Sequence, residues 1–284
     1  MKSGRVSKTA LKIALIAIAL AEDERWAARL PEGLAALTER LVIAAGIPLY
    51  GSGTIRFMKR GILWSRRKHR AAYDGLGRRK LFMNRQVLEA IEAGATQVLV
   101  LGAGFDTLCL RLAPRFTHVR WFEIDHPATS AAKARGVAAV GKPDNMGQLA
   151  VDLAQSRLSA ALAELPQWDA GARTIVVAEG LFMYLTDEQT AELLAEIQAS
   201  TGAGSRLAFS HLLDHESQGA VTRFFMRAFG EPWLSSHTRQ ELPEALRGLG
   251  WRVLEQDQPE RNEGMEGLAV AQPDSAASEG REDG

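Results

Sequence analysis

The sequence predicts an α/β protein whose mostly parallel β-sheet is covered by helices on both faces. From residue 80 onward, apolar runs of strand length alternate with segments of helical length, the order that produces parallel sheets. A glycine turn follows the first of these runs, where such sheets join a strand to a helix. With 284 residues, 46% of them apolar and 24% charged, the chain can bury the core that this fold requires.

The chain ahead of the sheet is predicted to form a helical cap. Leu11, Leu15 and Ile18 recur at helical spacing, and Ser7 or Thr9 is suited to cap the start of their helix. The same stretch, basic and then briefly apolar, is also typical of an export signal, which stands as a second interpretation. Its apolar run is shorter than the roughly 20 residues that cross a bilayer.

A basic segment, residues 56–80, joins the cap to the sheet. It holds ten Lys or Arg residues and a single acid, interleaved with Phe57, Trp64 and Tyr73. Such a run is most often a solvated helix face. Attraction to an acidic partner or to a membrane surface is the alternative interpretation.

Hydrophobic period and helix-breaking residues predict the remaining elements and the domain limits. The predicted elements are helices 24–50, 80–93, 106–112, 128–135, 155–164, 187–199 and 239–248, and strands 97–101, 119–124, 145–151, 174–178, 206–210, 251–255 and 268–271. From Gln272 onward Pro, Asp, Ser, Glu and Gly dominate, which predicts a disordered acidic tail. We therefore expect a cap over residues 1–77, one sheet domain over 78–271 and a tail over 272–284.

Composition limits the classes of function. Lys plus Arg and Asp plus Glu both number 34, so the formal net charge is zero and no long-range field attracts nucleic acid. The single cysteine, Cys109, forms no disulfide within the chain, which is typical of a reducing compartment and indicates a cytoplasmic protein. The six histidines lack the spacing of metal ligands, so we expect no metal. The oligomeric state stays open.

The run QVLVLGAGFDT contains the candidate binding turn. Gly102 permits an unusual backbone angle, and Gly104 lets the chain approach a ligand without a Cβ. Asp106 and Thr107 depart from the dinucleotide pattern, because a carboxylate faces a pyrophosphate badly. S-adenosylmethionine, which brings a sulfonium, an ammonium and no phosphate, suits Asp106 better. A tight turn without a ligand is the alternative.

The second predicted strand ends in two acids, Glu123 and Asp125. Asp125 follows Gly104 by 21 residues, the offset at which an acid accepts hydrogen bonds from ribose hydroxyls in nucleotide-binding units. Residues two apart in a strand share a face, so either carboxylate is able to reach the ribose. We favour Asp125, which is nearer the end of the strand.

Four motifs in this order, LGAGFDT, FEIDHP, VDL and AEGLFMYL, resemble those of the leucine carboxyl methyltransferase family. The resemblance runs from about residue 79 to residue 212. It implies a class I S-adenosylmethionine-dependent methyltransferase domain over residues 78–271, with a Rossmann-like sheet of seven strands whose final hairpin adds one antiparallel strand. It also implies that S-adenosylmethionine is the cofactor and that the acceptor is a carboxylate or hydroxyl of a small molecule.

Carried over residue by residue, the resemblance assigns most of a cofactor site. Gly102 and Gly104 stand where the family's glycine loop passes the methionine part of the cofactor, and Asp125 stands at its ribose acid. Asp152 and Leu153 occupy the position that meets the adenine. Carboxylates suit ribose hydroxyls and an adenine amino group as hydrogen-bond acceptors.

The same carry-over places charges at the amino-acid end of the cofactor. Glu179 matches the acid of the family's E-G motif, and Arg79 aligns with the arginine that pairs with the cofactor carboxylate. One residue of slippage would exchange Arg79 with Arg78 or Lys80. We expect these cations at the start of the helix that leads into the first strand, where free N–H groups also favour an anion.

The catalytic candidates come from position alone. His211, at the end of the fifth strand, is the candidate base for a hydroxyl acceptor, while a carboxylate acceptor needs no base. Otherwise His211 is a structural histidine. Tyr184 is a candidate to orient the acceptor, or else a core aromatic with a bonded hydroxyl. Four further aromatic residues, a candidate pocket wall or ordinary core, are Phe224, Phe225, Phe229 and Trp233.

Two other classes of function stay open at this point. A nicotinamide-dependent dehydrogenase uses the same kind of sheet, but Asp106 and Thr107 disfavour it. A non-catalytic cofactor-binding module, recruited to a membrane surface through the basic segment, is the other alternative.

Overall fold

One seven-stranded sheet organises the residues that the computed structural model describes, namely 6–65, 70–153, 155–213, 234, 236–257 and 266–274. Its strands are β1 (Gln97–Leu101), β2 (Arg120–Asp125), β3 (Met146–Ala150), β4 (Thr174–Ala178), β5 (Arg206–Leu212), β6 (Trp251–Asp257) and β7 (Glu266–Pro273). They lie in the order β3-β2-β1-β4-β5-β7-β6, and β7 runs antiparallel to both of its neighbours. The predicted seven-stranded, mostly parallel sheet with one antiparallel strand is confirmed.

Helices cover both faces of this sheet. The helices ahead of it are α1 (Lys8–Leu20), α2 (Glu24–Ala27), α3 (Leu34–Ala44), α4 (Ser52–Ser65) and α5 (Arg70–Glu92). The later helices are α6 (Leu108–Leu112), α7 (Pro127–Val140), α8 (Leu158–Ala163), α9 (Asp187–Ala199) and α10 (Glu241–Gly248), with 3₁₀ turns at Ala113–Arg115 and Phe182–Tyr184.

Strand β1 shows why both faces of the sheet are covered by a hydrophobic core. All five of its residues are buried, and they alternate between two apolar clusters. Val98 and Val100 pack with α1, α3, α5 and α7, whereas Leu99 and Leu101 pack with α8, α9 and α10. A strand buried on both faces reads as an unbroken apolar run, which is the pattern of Val98 to Leu101 after the polar Gln97.

The first helix is part of the protein core. Ser7 Oγ accepts the backbone N–H of Ala10 at 3.1 Å, so the predicted serine cap is present. Leu11, Leu15 and Ile18 are buried in the cluster that α1 shares with α3 and α5. In the described ranges, no helix combines the length and the apolar character that crossing a membrane needs.

Most predicted boundaries are off by a few residues, and three differences change how the chain is described. The helix predicted over 24–50 is broken into α2 and α3, because Gly33 turns the chain at φ +75° ahead of α3. Strand β7 extends through Pro273 and pairs Gln272 with Arg252, so the tail does not begin at residue 272.

The third error concerns the helix that leads into β1. It begins at Arg70 rather than at residue 80, so Arg79 lies in the middle of α5 and not at a helix start. The argument from free N–H groups and a positive dipole end therefore does not apply to Arg79.

Candidate functional site

The turn after β1 has the backbone shape that its glycines allow. Gly102 and Gly104 adopt φ +65° and +47°, in the left-handed region that disfavours other residues. The N–H of Gly102 donates to the carbonyl of Ile124 at 2.8 Å, which ties the turn to β2. A Cβ on Gly104 would lie 3.2 Å from the Cβ of Ala10, so α1 of the cap packs closely on the turn.

Asp125 faces this glycine turn from the end of β2. One carboxylate oxygen accepts the N–H of Gly104, and the other accepts the N–H of His126 at 2.6 Å. Burial raises the pKa of Asp125, and the two N–H donors oppose that shift. The predicted pair of glycine turn and acid is therefore brought together.

Glu123 is directed into the core instead. Its carboxylate pairs with the Lys133 ammonium at 2.8 Å and accepts from the Gln148 amide at 3.0 Å. Burial raises the pKa of Glu123, and Lys133 opposes the shift. Lys133 Nζ also lies 3.4 Å from the carbonyl of Ala103, so this buried pair supports the glycine turn from below. Of the two predicted acids, Asp125 is the one whose carboxylate contacts the glycine turn directly.

Asp152 and Leu153 follow the end of β3, beside Asp125. The N–H of Val151 donates to the carbonyl of Asp125 at 2.8 Å, which holds the two segments together. The Asp152 carboxylate lies 3.8 Å from His126 Nε2 and remains partly exposed. Leu153 packs against the apolar cluster on the α8 side of the sheet. The three residues predicted for ribose and adenine thus line one edge.

A buried cluster of charges lies at the same edge. Arg79 Nε donates to Glu179 at 3.0 Å, and Arg79 Nη1 donates to both oxygens of Glu266 at 2.9 and 2.6 Å. Lys80 Nζ donates to Glu179 at 2.6 Å and also to Asp106. Arg79 and Lys80 each expose only 6% of their side chains, so these contacts replace nearly all of their hydration.

In this charge cluster, pairing with opposite charges shifts the pKa values more than burial does. Burial disfavours the charged forms of Arg79 and Lys80, but the surrounding carboxylates raise the pKa of both. Burial also works against the carboxylate of Asp106, yet Lys80 and Arg111 lower its pKa. Arg79, Lys80 and Asp106 are therefore charged near neutral pH.

Asp106 plays a different part from the one that its sequence position indicates. Its Oδ1 accepts the N–H of Leu108 at 2.5 Å at the start of α6, and its Oδ2 pairs with Lys80. The sequence predicts a positive ligand group beside the negative charge of Asp106. In the structure, Lys80 balances that charge. The acid stands beside the turn, but its charge is already compensated.

The neighbouring arginine, Arg78, lies outside the charge cluster. Its guanidinium donates to Asp257 at 3.3 Å, at the end of β6. Successive residues of a helix point about 100° apart, so Arg78 and Arg79 serve different surroundings. The alignment that favours Arg79 agrees with this placement.

The two catalytic candidates, Tyr184 and His211, lie close to the buried charge cluster. Tyr184 stands near enough to Arg79 to affect its pKa. His211 is 4% exposed, with Nδ1 3.2 Å from the carbonyl of Leu212 and a buried Nε2 that has no hydrogen-bond partner among the described residues. Burial lowers the pKa of His211 to about 4, so the ring is neutral. Its role as a base stays a prediction, and the four aromatic candidates Phe224, Phe225, Phe229 and Trp233 lie outside the described residues.

Sequence reasoning missed two members of the site. Glu266 was not singled out, because it comes 187 residues after Arg79 and only the antiparallel register of β7 brings it there. Lys80 appeared only as an alternative to Arg79. The signal for Lys80 was its adjacency to Arg79 and the presence of unbalanced acids at positions 106 and 179.

An open cleft of about 460 Å³ lies elsewhere, on the outer side of α5, where Arg29, Arg78 and Asp257 contribute to its lining. None of the predicted site residues lines it. We assign no ligand to this cleft.

The sheet order, the single antiparallel strand, and the glycine turn opposite an acid define the class I S-adenosylmethionine-dependent methyltransferase fold. A family model described as leucine carboxyl methyltransferase matches residues 21–198. The match covers more than half of the chain, which therefore belongs to the leucine carboxyl methyltransferase family.

Relatives of known sequence agree with this assignment. A proposed S-adenosyl-L-methionine-dependent methyltransferase of Mycobacterium marinum is 36% identical over 198 residues, 64% of this chain and 62% of the relative. One from Streptomyces coelicolor is 32% identical over 201 residues, 66% of each chain. The chain thus spans less than two thirds of the length of both relatives.

Solved structures resemble the fold. A proposed methyltransferase from Thermobifida fusca has a TM-score of 0.59 at 16% identity, covering 84% of this chain and 94% of that one. A DUF574 family protein from Streptomyces avermitilis has the same TM-score at 18% identity, covering 84% and 97%.

Proposed function

We propose that the chain transfers a methyl group from S-adenosylmethionine to an oxygen of a small molecule, a carboxylate or a hydroxyl. The observation that carries the proposal is the contact of Asp125 with the N–H of Gly104. It places a partly exposed carboxylate over a glycine turn at the carboxyl ends of parallel strands, where α/β sheets bind nucleoside ligands.

The residues at this edge match the parts of the cofactor. The Gly102 to Gly104 turn would pass the methionine part, Asp125 would accept the ribose hydroxyls, and Asp152 with Leu153 would meet the adenine. At the amino-acid end, Arg79 would face the carboxylate and Glu179 the ammonium. The side chains of Arg79 and Glu179 are already paired with charged neighbours. Binding of the cofactor would therefore replace one ionic partner by another and would not place a new unpaired charge in a buried site.

The chemistry asks little of the protein beyond alignment. S-adenosylmethionine supplies a methyl carbon activated by its sulfonium, and transfer is an in-line displacement by the acceptor oxygen. A carboxylate acceptor is already a nucleophile, so it needs no base, in keeping with a neutral, buried His211. The family takes its name from a carboxyl group, which supports an oxygen acceptor here.

Transfer of a labelled methyl group tests the proposal. The chain is incubated with methyl-labelled S-adenosylmethionine and separate pools of carboxylic acids, phenols, alcohols and amines. We expect label in an oxygen pool, and mild alkali distinguishes an ester, which releases labelled methanol, from an ether, which does not. Label confined to nitrogen would contradict the choice of acceptor. Oxidation of a reduced nicotinamide without methyl transfer would contradict the whole proposal and favour a dehydrogenase.

A further inference from the structure

Helix α4 carries two aromatic side chains on its solvent face. Phe57 is 77% exposed and Trp64 is 89% exposed. They are seven residues apart, which places them on the same side of a helix. Leu49, just ahead of α4, is 82% exposed, whereas the other large apolar side chains that are exposed in the described ranges reach at most 50%. The three most exposed ones therefore lie within 16 residues of the chain, counted from the sequence.

The opposite face of α4 fixes this orientation. Ile55 is fully buried, and Met58 and Ile62 pack against the cluster that also holds α1 and α5. Turning the helix to hide Phe57 and Trp64 would expose these three side chains. The aromatic residues therefore face solvent because the amphipathic packing of α4 requires it.

Basic residues border the aromatic pair. Arg56 and Arg60 are exposed on α4. The only other basic residue of the helix, Lys59, pairs with Glu22. The sequence contains no Asp or Glu from Arg40 to Tyr73, although the whole chain has no net charge. The positive charge is therefore concentrated in this stretch of the chain, which also holds the exposed aromatic side chains.

We infer that this α4 surface, formed by Leu49, Arg56, Phe57, Arg60 and Trp64, binds the surface of a membrane that contains anionic lipids. A helix with aromatic residues on one side and arginines beside them suits the boundary between head groups and acyl chains. Aromatic rings insert there, while guanidinium groups bind lipid phosphates. Helix α4 has 14 residues and stays packed on the cap, so the protein would rest on the bilayer without crossing it.

A second copy of the chain suits this surface less well. In a twofold interface the same patch occupies both sides, so Arg56 and Arg60 of each copy would face a basic patch that contains no acid to balance them. An anionic lipid surface balances these charges directly. The charge complementarity therefore favours lipid over self-association.

Vesicle flotation of the full chain tests the inference. One set of vesicles is phosphatidylcholine alone, and the other contains phosphatidylglycerol and phosphatidylcholine in equal amounts. The variants are the double substitution Phe57→Ser with Trp64→Ser, and the double substitution Arg56→Gln with Arg60→Gln. The matched control, Arg247→Gln with Leu249→Ser, changes one exposed basic and one exposed apolar residue at the end of α10. Thermal unfolding confirms that each variant is folded.

We expect the wild type and the control to float with the anionic vesicles only, and salt to weaken the binding. Loss of Arg56 and Arg60 should weaken it about 30-fold, because each basic residue near an anionic surface contributes about a factor of five. Loss of Phe57 and Trp64 should weaken it at least about tenfold.

Three results would overturn the inference. The first is a wild type that floats with neither kind of vesicle. The second is anionic binding that the aromatic variant leaves unchanged, since charge alone would then account for it, without the aromatic side chains of the α4 surface. The third is a dimer in sedimentation that the aromatic variant disrupts, with no lipid binding, which would make the surface an interface between two copies.

Discussion

At the scale of single residues, the buried charge cluster is the feature that most constrains the site. Arg79 uses its planar guanidinium to bind Glu179 and Glu266 together, while Lys80 bridges Glu179 and Asp106. Every charge in this cluster has an opposite partner. Removing one partner would leave a buried charge uncompensated, which costs more than losing a surface ion pair.

The first prediction compares two adjacent arginines. Arg79→Lys should weaken binding of S-adenosylhomocysteine by at least about tenfold, because an ammonium cannot reproduce the planar two-point pairing of a guanidinium with the cofactor carboxylate. Arg78→Lys should change it little, because Arg78 pairs with Asp257 outside the cluster. Calorimetric titration of both variants measures the ratio, and thermal unfolding separates lost affinity from lost folding. The reverse ranking would mean that the arginine of the site has been placed one residue off.

The second prediction concerns the pH dependence that His211 imposes. Burial lowers its pKa to about 4; His237 lowers it further, while Glu266 opposes the shift. The unfolded chain therefore takes up the proton first as the pH falls below about 6.5, and folding loses stability between that value and 4. From pH 7 to pH 4.5, the free energy of unfolding should drop about 2 kcal/mol more in the wild type than in His211→Asn.

Urea unfolding of both chains at the two pH values measures this difference. Because other groups titrate in both chains, only the difference between them reports on His211. An equal drop in both chains would show that the ring titrates with an ordinary pKa.

At the scale of elements, the sequence predicts the helices and strands whose ends are marked by residues within or next to them. Strands β1 and β4 and helix α9 begin and end at the predicted residues. Helix α9 has a complete capping box, in which Thr186 and Gln189 each bind the backbone of the other. The start of α5 was missed because Gly75 and Gly77 interrupt its pattern, and tertiary packing then overrides their low helix propensity.

The third prediction uses those two glycines of α5. A Cβ on Gly77 would lie 2.5 Å from the ring of Trp26 in α2, whereas a Cβ on Gly75 would meet no atom within 4 Å. Gly77→Ala should destabilise the protein by about 1 to 3 kcal/mol through overpacking. Gly75→Ala should be neutral or stabilise it by up to about 1 kcal/mol.

Denaturant unfolding of the two variants measures the contrast. The two sites lie in one helix, so helix propensity is the same for both and Trp26 is the difference. Equal stability of the two variants would show that Trp26 does not pack on Gly77.

Long-range contacts explain what the sequence could not predict about the site. Gly104 and Asp125 belong to one strand-helix-strand unit, so their separation in the sequence was enough to predict that they lie together. Glu266 reaches Arg79 through the pairing of β7 with β5, where Glu266 lies opposite Leu212. Such a register is not visible in a single sequence. Spacing finds the glycine turn and its acid, while the charge cluster emerges only from the assembled sheet.

At the scale of the whole molecule, charge and apolar surface are distributed unevenly although the net charge is zero. The carboxyl edge of the sheet gathers acids that are paired with cations, while the α4 surface is basic and aromatic without acids. The cap contributes to both regions, because α1 packs on the glycine turn and α4 packs on α1. The cap is therefore structurally continuous with the carboxyl edge of the sheet.

The central claim is that this edge binds S-adenosylmethionine, and calorimetric titration of the full chain tests it most directly. S-adenosylhomocysteine should bind at one site per chain, and reduced nicotinamide dinucleotide should give no heat. Asp125→Asn should weaken that binding by about 1 to 3 kcal/mol, the usual cost of an unsatisfied polar group. The exposed Asp144→Asn should leave it unchanged. Heat with the dinucleotide and none with S-adenosylhomocysteine would contradict the account.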